Sequence, residues 1–169
     1  MQIACVFWGM KLFTCFCLSA IYAASSLWAD DALEANKTVA KRVFEDIFNQ
    51  GQFDVANEIY SPSFVNHAHH HRDIGLKRDQ DAARGWKSAF PDLKMTVNLA
   101  VAEGDLVALL WTGTGTNTGE GNGIPATGQK GELRGITIWR IQNGRITEEW
   151  SEFDQADILK QLRLTGSPK

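Results

Sequence analysis

Cysteine is scarce in this chain of 169 residues, and its three cysteines, Cys5, Cys15 and Cys17, all lie near the N-terminus. The rest of the chain therefore has no disulfide framework and no thiol nucleophile.

A basic surplus is also missing, because 17 Lys and Arg against 20 Asp and Glu give a net charge of −3 without a basic stripe. We expect no nucleic-acid partner. A composition of 44% hydrophobic and 22% charged residues is typical of one globular domain.

The N-terminal segment has the pattern of a secretory signal. Lys11 precedes the apolar run Leu12–Ala24, and small residues up to Ala29 precede an acidic stretch. The run is shorter than the ~20 apolar residues of a membrane-spanning helix. We expect residues 1–29 to be a cleaved signal peptide, with Met10 a candidate for the true start. Residues 30–169 would form a single secreted or periplasmic domain without stable membrane insertion; the alternative is an uncleaved anchor.

Helical spacing and strand alternation together predict an α+β fold. Apolar residues recur at helical spacing over 37–51, and Gly51 suits the position that follows a helix. Further helices are predicted over Phe53–Tyr60, Lys77–Ala89 and Asp154–Leu164. Strands are predicted over 64–67, 95–102, 106–117, 133–141 and 145–153, the last two joined by the hairpin signal Asn143-Gly144. We expect a bent antiparallel sheet around a helix, giving a cone with an aromatic-rich interior.

Several short motifs occur in a specific order along this pattern. They are the FPD turn at 90–92, the EGD hairpin at 103–105, the loop TGEGNGIPATG at 118–128 and NGRITEEW from 143. With them, residues 37–164 resemble the SnoaL-like polyketide cyclase (ester cyclase) family. The resemblance implies a nuclear transport factor 2-like cone. It also implies intramolecular aldol ring closure through a buried carboxylate, without metal or cofactor.

The resemblance implies a pocket residue at Asn66 but differs at the other polar positions. The catalytic carboxylate position after the last-strand Trp is Ser151, the pocket His position is Thr137 and the Gln position is Gly135. A Ser hydroxyl cannot replace a carboxylate as general base. The chain therefore departs from the family at three of four polar catalytic positions.

The candidate catalytic residues that remain are His67 and Glu149. Glu149 is the carboxylate nearest to Ser151 on the same strand face, although a solvated position at the cone's rim is the alternative. Glu148 should point away, so it is the weaker candidate. His67 titrates near neutral pH and would complete an acid–base pair, unless it is a structural histidine.

We expect substrate to contact side chains that line one cavity, with Asn66 polarising a carbonyl and Ser151 donating a hydrogen bond. An inverted strand register would instead bring Glu148 and Trp150 inward. The expected binding residues are Asn66, Trp86, Trp111, Thr137 and Ser151.

A run of histidines, His67 and His69–His71, suggests a metal site close to Asp73. The side chains of adjacent histidines diverge, and this part of the sequence has no cysteine to act as a further ligand. We therefore expect a solvated loop, and we expect the protein to bind neither a metal nor a cofactor. The glycine-rich loop 112–128 lacks the ending of a phosphate-binding motif, and we expect it to fold over one end of the cone.

Two classes of function fit these residues. The first is a cofactor-independent lyase, isomerase or hydrolase that acts by acid–base chemistry on a small carbonyl compound. The second is a non-catalytic carrier of a small apolar ligand. A homodimer formed through the outer face of the sheet is expected in either case.

Overall fold

A computed structural model describes residues 30–67 and 73–164. The expected signal segment 1–29 and the histidines His69–His71 lie outside the described residues. Over the described ranges, no helix has both the length and the apolar character needed to cross a membrane.

Helices flank a single sheet. The first helix, α1, covers 30–42 and continues as the π-helical segment Val43–Asn49. A 3₁₀ turn at Phe53–Val55 precedes the short helix α2. The remaining helices are α2 at Ala56–Ile59, α3 at Leu76–Ala89 and α4 at Gln155–Gln161.

Two residues that the sequence predicts at helix ends, Gly51 and Asp154, have the expected conformation or capping contact. Gly51 follows α1 with φ +71°, a left-handed conformation that glycine adopts without steric cost. The Asp154 side chain accepts a hydrogen bond from the Asp157 backbone N–H and so caps α4.

Six strands form the curved, unclosed sheet in the order β2-β1-β6-β5-β4-β3. The pair β1–β6 is parallel, and every other neighbouring pair is antiparallel. The mixed α+β class is thus confirmed. The strands are β1 at Tyr60–Asn66, β2 at Ile74–Gly75, β3 at Lys94–Glu103, β4 at Leu106–Thr116, β5 at Lys130–Gln142 and β6 at Arg145–Phe153.

The concave face of the sheet packs on α1. Phe44, in the π-helical segment that continues α1, is buried and meets the ring of Trp139 edge-on at 5.5 Å between centroids. Thr137 pairs with Ser151 and Trp139 with Glu149 across β5 and β6. Since side chains alternate along a strand, these four residues share the concave face, which is the register that the sequence predicts.

The convex face exposes apolar side chains. Leu110 on β4 pairs with Leu99 on β3 and with Ile136 on β5, and all three are more than a third exposed. This row lies on the face through which the homodimer is expected to form.

The glycine-rich loop folds against the C-terminal end of α3 and is organised by Asn117, which is fully buried. Its amide donates to the carbonyl oxygens of Ala89 and Gly119 at 3.0 Å each. Its Oδ1 accepts from the backbone N–H and the hydroxyl of Thr127 at 3.0 and 2.8 Å. One side chain thus ties both arms of the loop to α3.

Replacing Asn117 with Ala should lower the free energy of unfolding by about 2–4 kcal/mol, because several buried polar groups lose their partners. Urea denaturation measures this change. The matched control Asn98→Ala removes an exposed Asn that holds one hydrogen bond, from Thr112, and should cost less than about 1 kcal/mol. Equal effects of the two substitutions would show that Asn117 does not organise the loop.

Candidate active site

A cavity of about 170 Å³ lies between α1, α3 and the concave face of the sheet. A cavity of ~150 Å³ is enough for one benzene ring, so the space suits a molecule of about that size. Most of the lining is apolar, and Trp86 and Trp111 are part of it as expected from the sequence. Its polar side chains include those of Tyr60, Asn66, Asp79, Gln80, Thr137, Glu149 and Ser151.

Glu149 occupies the cavity wall and is held on both carboxyl oxygens. The indole N–H of Trp139, its cross-strand partner, donates to Oε2 at 2.7 Å. The amide of Asn66 donates to Oε1 at 3.1 Å. The part of Glu149 that is still accessible lines the cavity, so the solvated position at the rim is wrong.

Asn66 joins Glu149 to a second carboxylate. Asn66 is the last residue of β1 and is in register with Glu149 on β6. The same Nδ2 that donates to Glu149 also donates to Asp79 Oδ1 at 2.7 Å. Asn66 is 5% exposed, and an amide nitrogen has only two hydrogens. Its donors are therefore committed to the two carboxylates, which contradicts the expectation that Asn66 polarises a carbonyl.

Burial raises the pKa of Glu149 to about 8, and the nearby Asp79 carboxylate adds to the rise; the hydrogen bonds from Trp139 and Asn66 act in the opposite direction. Burial also raises the pKa of Asp79. Asp79 lies in the first turn of α3, where the helix dipole favours negative charge. We therefore assign the proton of this pair at neutral pH to Glu149.

Buried Tyr60 borders the same pair. Burial raises the pKa of its phenol well above the ordinary value, and the charges of Asp79 and Glu149 raise it further. Tyr60 therefore stays neutral and takes no part as a base.

A second polar group lies further along β5 and β6. The indole N–H of Trp111 donates to Thr137 Oγ1 at 3.0 Å, and Thr137 Oγ1 lies 2.8 Å from Ser151 Oγ. A side chain at position 135, the Gln position of the family pattern, is excluded by Trp111. A Cβ on Gly135 would collide with the Trp111 ring and would lie 2.7 Å from the Glu152 carbonyl oxygen.

His67 lies on the convex side, away from the cavity. Its ring stacks on Trp150 at 4.9 Å, and its nitrogens lie 3.0 Å from Asp73 Oδ1 and Glu148 Oε2. Burial disfavours the charged ring, but the hydrogen bonds that the ring donates to Glu148 and Asp73 outweigh this effect and raise the pKa of His67. The His67 backbone N–H donates to the Glu149 carbonyl oxygen at 2.8 Å, but the two side chains lie on opposite faces of the sheet, so the expected acid–base pair is wrong in its geometry. Within the described ranges, no three His, Cys, Asp or Glu residues are placed to hold a metal ion.

Sequence reasoning missed Asp79. The signal was present, since Asp79 is three and four residues before Ala82 and Ala83 and seven before Trp86, on the helix face that lines the cavity. A carboxylate on the buried stripe of a helix indicates a functional role.

Comparisons with known proteins agree with this fold. The model of the SnoaL-like polyketide cyclase family matches residues 38–162. IdmH from Streptomyces antibioticus, a polyketide cyclase by assignment, is 28% identical, with a TM-score of 0.67 over 76% of this chain and 98% of its own. AclR from Streptomyces galilaeus, a hydroxylase by assignment, is 26% identical, with a TM-score of 0.71 over 81% of this chain and 87% of its own. No curated protein matches the chain significantly.

The family model matches residues 38–162, well over half of the sequence. The chain belongs to the SnoaL-like polyketide cyclase family.

Proposed function

We propose that this protein catalyses proton transfer on a small carbonyl compound, without metal or cofactor, with Glu149 as the group that carries the proton. The supporting observation is the position of Glu149 in an apolar cavity, where burial raises its pKa to about 8. A general base or acid is most effective when its pKa lies near the working pH.

The proposed cycle begins with the ionised form of Glu149. Its carboxylate takes a proton from the carbon next to a carbonyl, and the electron pair of that C–H bond moves to the carbonyl oxygen as an enolate. The enolate carbon then attacks a second carbonyl of the same molecule, forming a C–C bond and an alkoxide. Glu149 returns the proton to the alkoxide, so the whole reaction is an isomerisation that needs no other reactant.

Asp79 is the partner of Glu149 in this proposal, in place of His67. Its charge raises the pKa of Glu149, and its hydrogen bond to Asn66 holds the amide against both carboxylates. Asp79 is thus a positioning residue that adjusts the proton affinity of the base.

The second candidate remains a carrier of a small apolar ligand. It is favoured by the mostly apolar lining of the cavity and by Ser151 at the family's carboxylate position. The similar structures carry two different assignments, cyclase and hydroxylase, and one fold commonly hosts several functions. A homodimer through the apolar row Leu99, Leu110 and Ile136 is proposed for both functions.

The first test is hydrogen–deuterium exchange at the methyl carbon of acetophenone, a single-ring ketone, followed by NMR. The wild-type protein should accelerate exchange above the buffer rate. The acceleration should rise about tenfold per pH unit and level off near pH 8, because only ionised Glu149 accepts the proton. Asp79→Asn should move the rising limb to lower pH, since it removes a charge that raises the pKa of Glu149.

Glu149→Gln keeps the size and the hydrogen-bonding atoms but cannot accept the proton, and should reduce the acceleration by about 10²–10⁴-fold. Two control variants should exchange at the wild-type rate: Glu152→Gln, an exposed carboxylate on the same strand, and His67→Gln on the convex face. Near-wild-type exchange by Glu149→Gln would refute Glu149 as the base. Ligand binding without any accelerated exchange would favour the carrier.

Stability should also depend on the proton of Glu149. The folded protein keeps this proton to about pH 8, whereas the unfolded chain releases it near the ordinary value of 4.5. Between these values the folded state binds more protons, so the free energy of unfolding should fall as pH rises, by at most about 1.4 kcal/mol per pH unit for this one group. Urea denaturation across the range measures the slope. Glu149→Gln should flatten it and Glu152→Gln should retain it; an unchanged slope in Glu149→Gln would show that Glu149 is not protonated in the fold.

A further inference from the structure

The hydroxyl groups of Thr137 and Ser151 form a chain that starts at Trp111. An indole nitrogen can only donate, so Thr137 Oγ1 accepts at least one hydrogen bond, from Trp111 Nε1 at 3.0 Å. Ser151 Oγ is the other group bonded to Thr137 Oγ1, at 2.8 Å.

The burial of Thr137 determines which hydroxyl donates in the hydrogen bond between Thr137 and Ser151. Thr137 is 2% exposed, and in the part of the chain that the structure describes its hydroxyl meets only Trp111 and Ser151. If Ser151 donated to Thr137, the hydroxyl hydrogen of Thr137 would be buried without an acceptor, at a cost that proteins avoid. Thr137 therefore donates to Ser151, and the hydroxyl hydrogen of Ser151 is left for another acceptor.

The free hydrogen of Ser151 belongs to a residue that lines the cavity and is less buried than Thr137. Asn66 cannot serve the same purpose, because its amide donates to Asp79 and Glu149. Ser151 and Glu149 share the concave face of β6 two residues apart, a separation of about 6.5 Å along the strand. The proton-carrying carboxyl group and the hydroxyl donor thus face the same enclosed space from neighbouring positions.

We propose that Ser151 is the anion-recognising donor of this cavity, and that the ligand is a compound of about one ring whose carbonyl oxygen becomes an enolate or phenolate oxygen. Hydrogen-bond donors fixed in place before charge develops stabilise an oxyanion more than flexible ones. The donation from Trp111 through Thr137 polarises the hydroxyl and strengthens its donation. A carboxylate at position 151 could not donate when ionised, so the departure from the family pattern supplies a function of its own. This inference rests on the proposed function for the reaction, but anion binding can be tested without turnover.

The test compares two probes of one shape. Pentafluorophenol presents a phenolate oxygen, and pentafluorotoluene presents a neutral methyl group in the same place. Binding is measured by fluorine NMR in buffer more acidic than the pKa of Glu149, so that Glu149 keeps its proton while the phenol is ionised. The wild-type protein should prefer the phenolate. Ser151→Ala should weaken phenolate binding by about 10- to 100-fold, as expected for a hydrogen bond to a charged group, and should change pentafluorotoluene binding by less than about threefold.

Two further variants separate this inference from the proposed function. Thr137→Val keeps the volume but removes the intermediate hydroxyl, and should weaken phenolate binding by less than Ser151→Ala does. Glu149→Gln abolishes proton transfer yet should keep the preference for phenolate. The inference is overturned if wild-type protein shows no preference for the phenolate, or if Ser151→Ala weakens both probes equally. In either outcome the exchange assay on Glu149 still judges the proposed function by itself.

Discussion

The site depends on one electrostatic constraint, the cost of keeping two carboxyl groups close together in an apolar cavity. Two ionised carboxylates that contact the same amide group, away from bulk water, would repel each other strongly. The protein reduces the cost in two ways. Asn66 donates to both groups, and one of the two keeps a proton. The group that keeps the proton is Glu149, because Asp79 lies in the first turn of α3, where the helix dipole favours the ionised form of a carboxyl group.

The fold is arranged so that these groups meet. Parallel pairing of β1 with β6 puts Asn66 in register with Glu149, and antiparallel pairing of β5 with β6 puts Trp139 beside the same carboxyl group. The helix α3 then packs over the cavity with Asp79 toward Asn66. Both hydrogen bonds to Glu149 come from neighbouring strands, so a shift of β6 by one residue would break them.

Much of this arrangement could be predicted from the sequence, because alternation along a strand is a strict geometric rule. The rule places Thr137, Glu149 and Ser151 on one face and Glu148 on the other, and the structure agrees. The same rule places His67 and Asn66 on opposite faces of the sheet. The sequence therefore already indicated that the His67 side chain would not meet Glu149 if Asn66 lines the cavity. Asp79 was missed for another reason: it lies in a helix rich in charged residues, where a single carboxylate looks solvated until the helix is docked.

The most direct measurement of the central claim is the infrared spectrum of the protein as a function of pH. A protonated carboxyl group has a C=O stretching band separate from those of carboxylates and amides. The predicted result is a band present at neutral pH, lost as the pH rises through about 8, and missing at neutral pH from Glu149→Gln but not from Glu152→Gln. A wild-type protein without this band at neutral pH, or one whose band disappears near the ordinary carboxyl value of 4.5, would contradict a protonated Glu149 in the cavity.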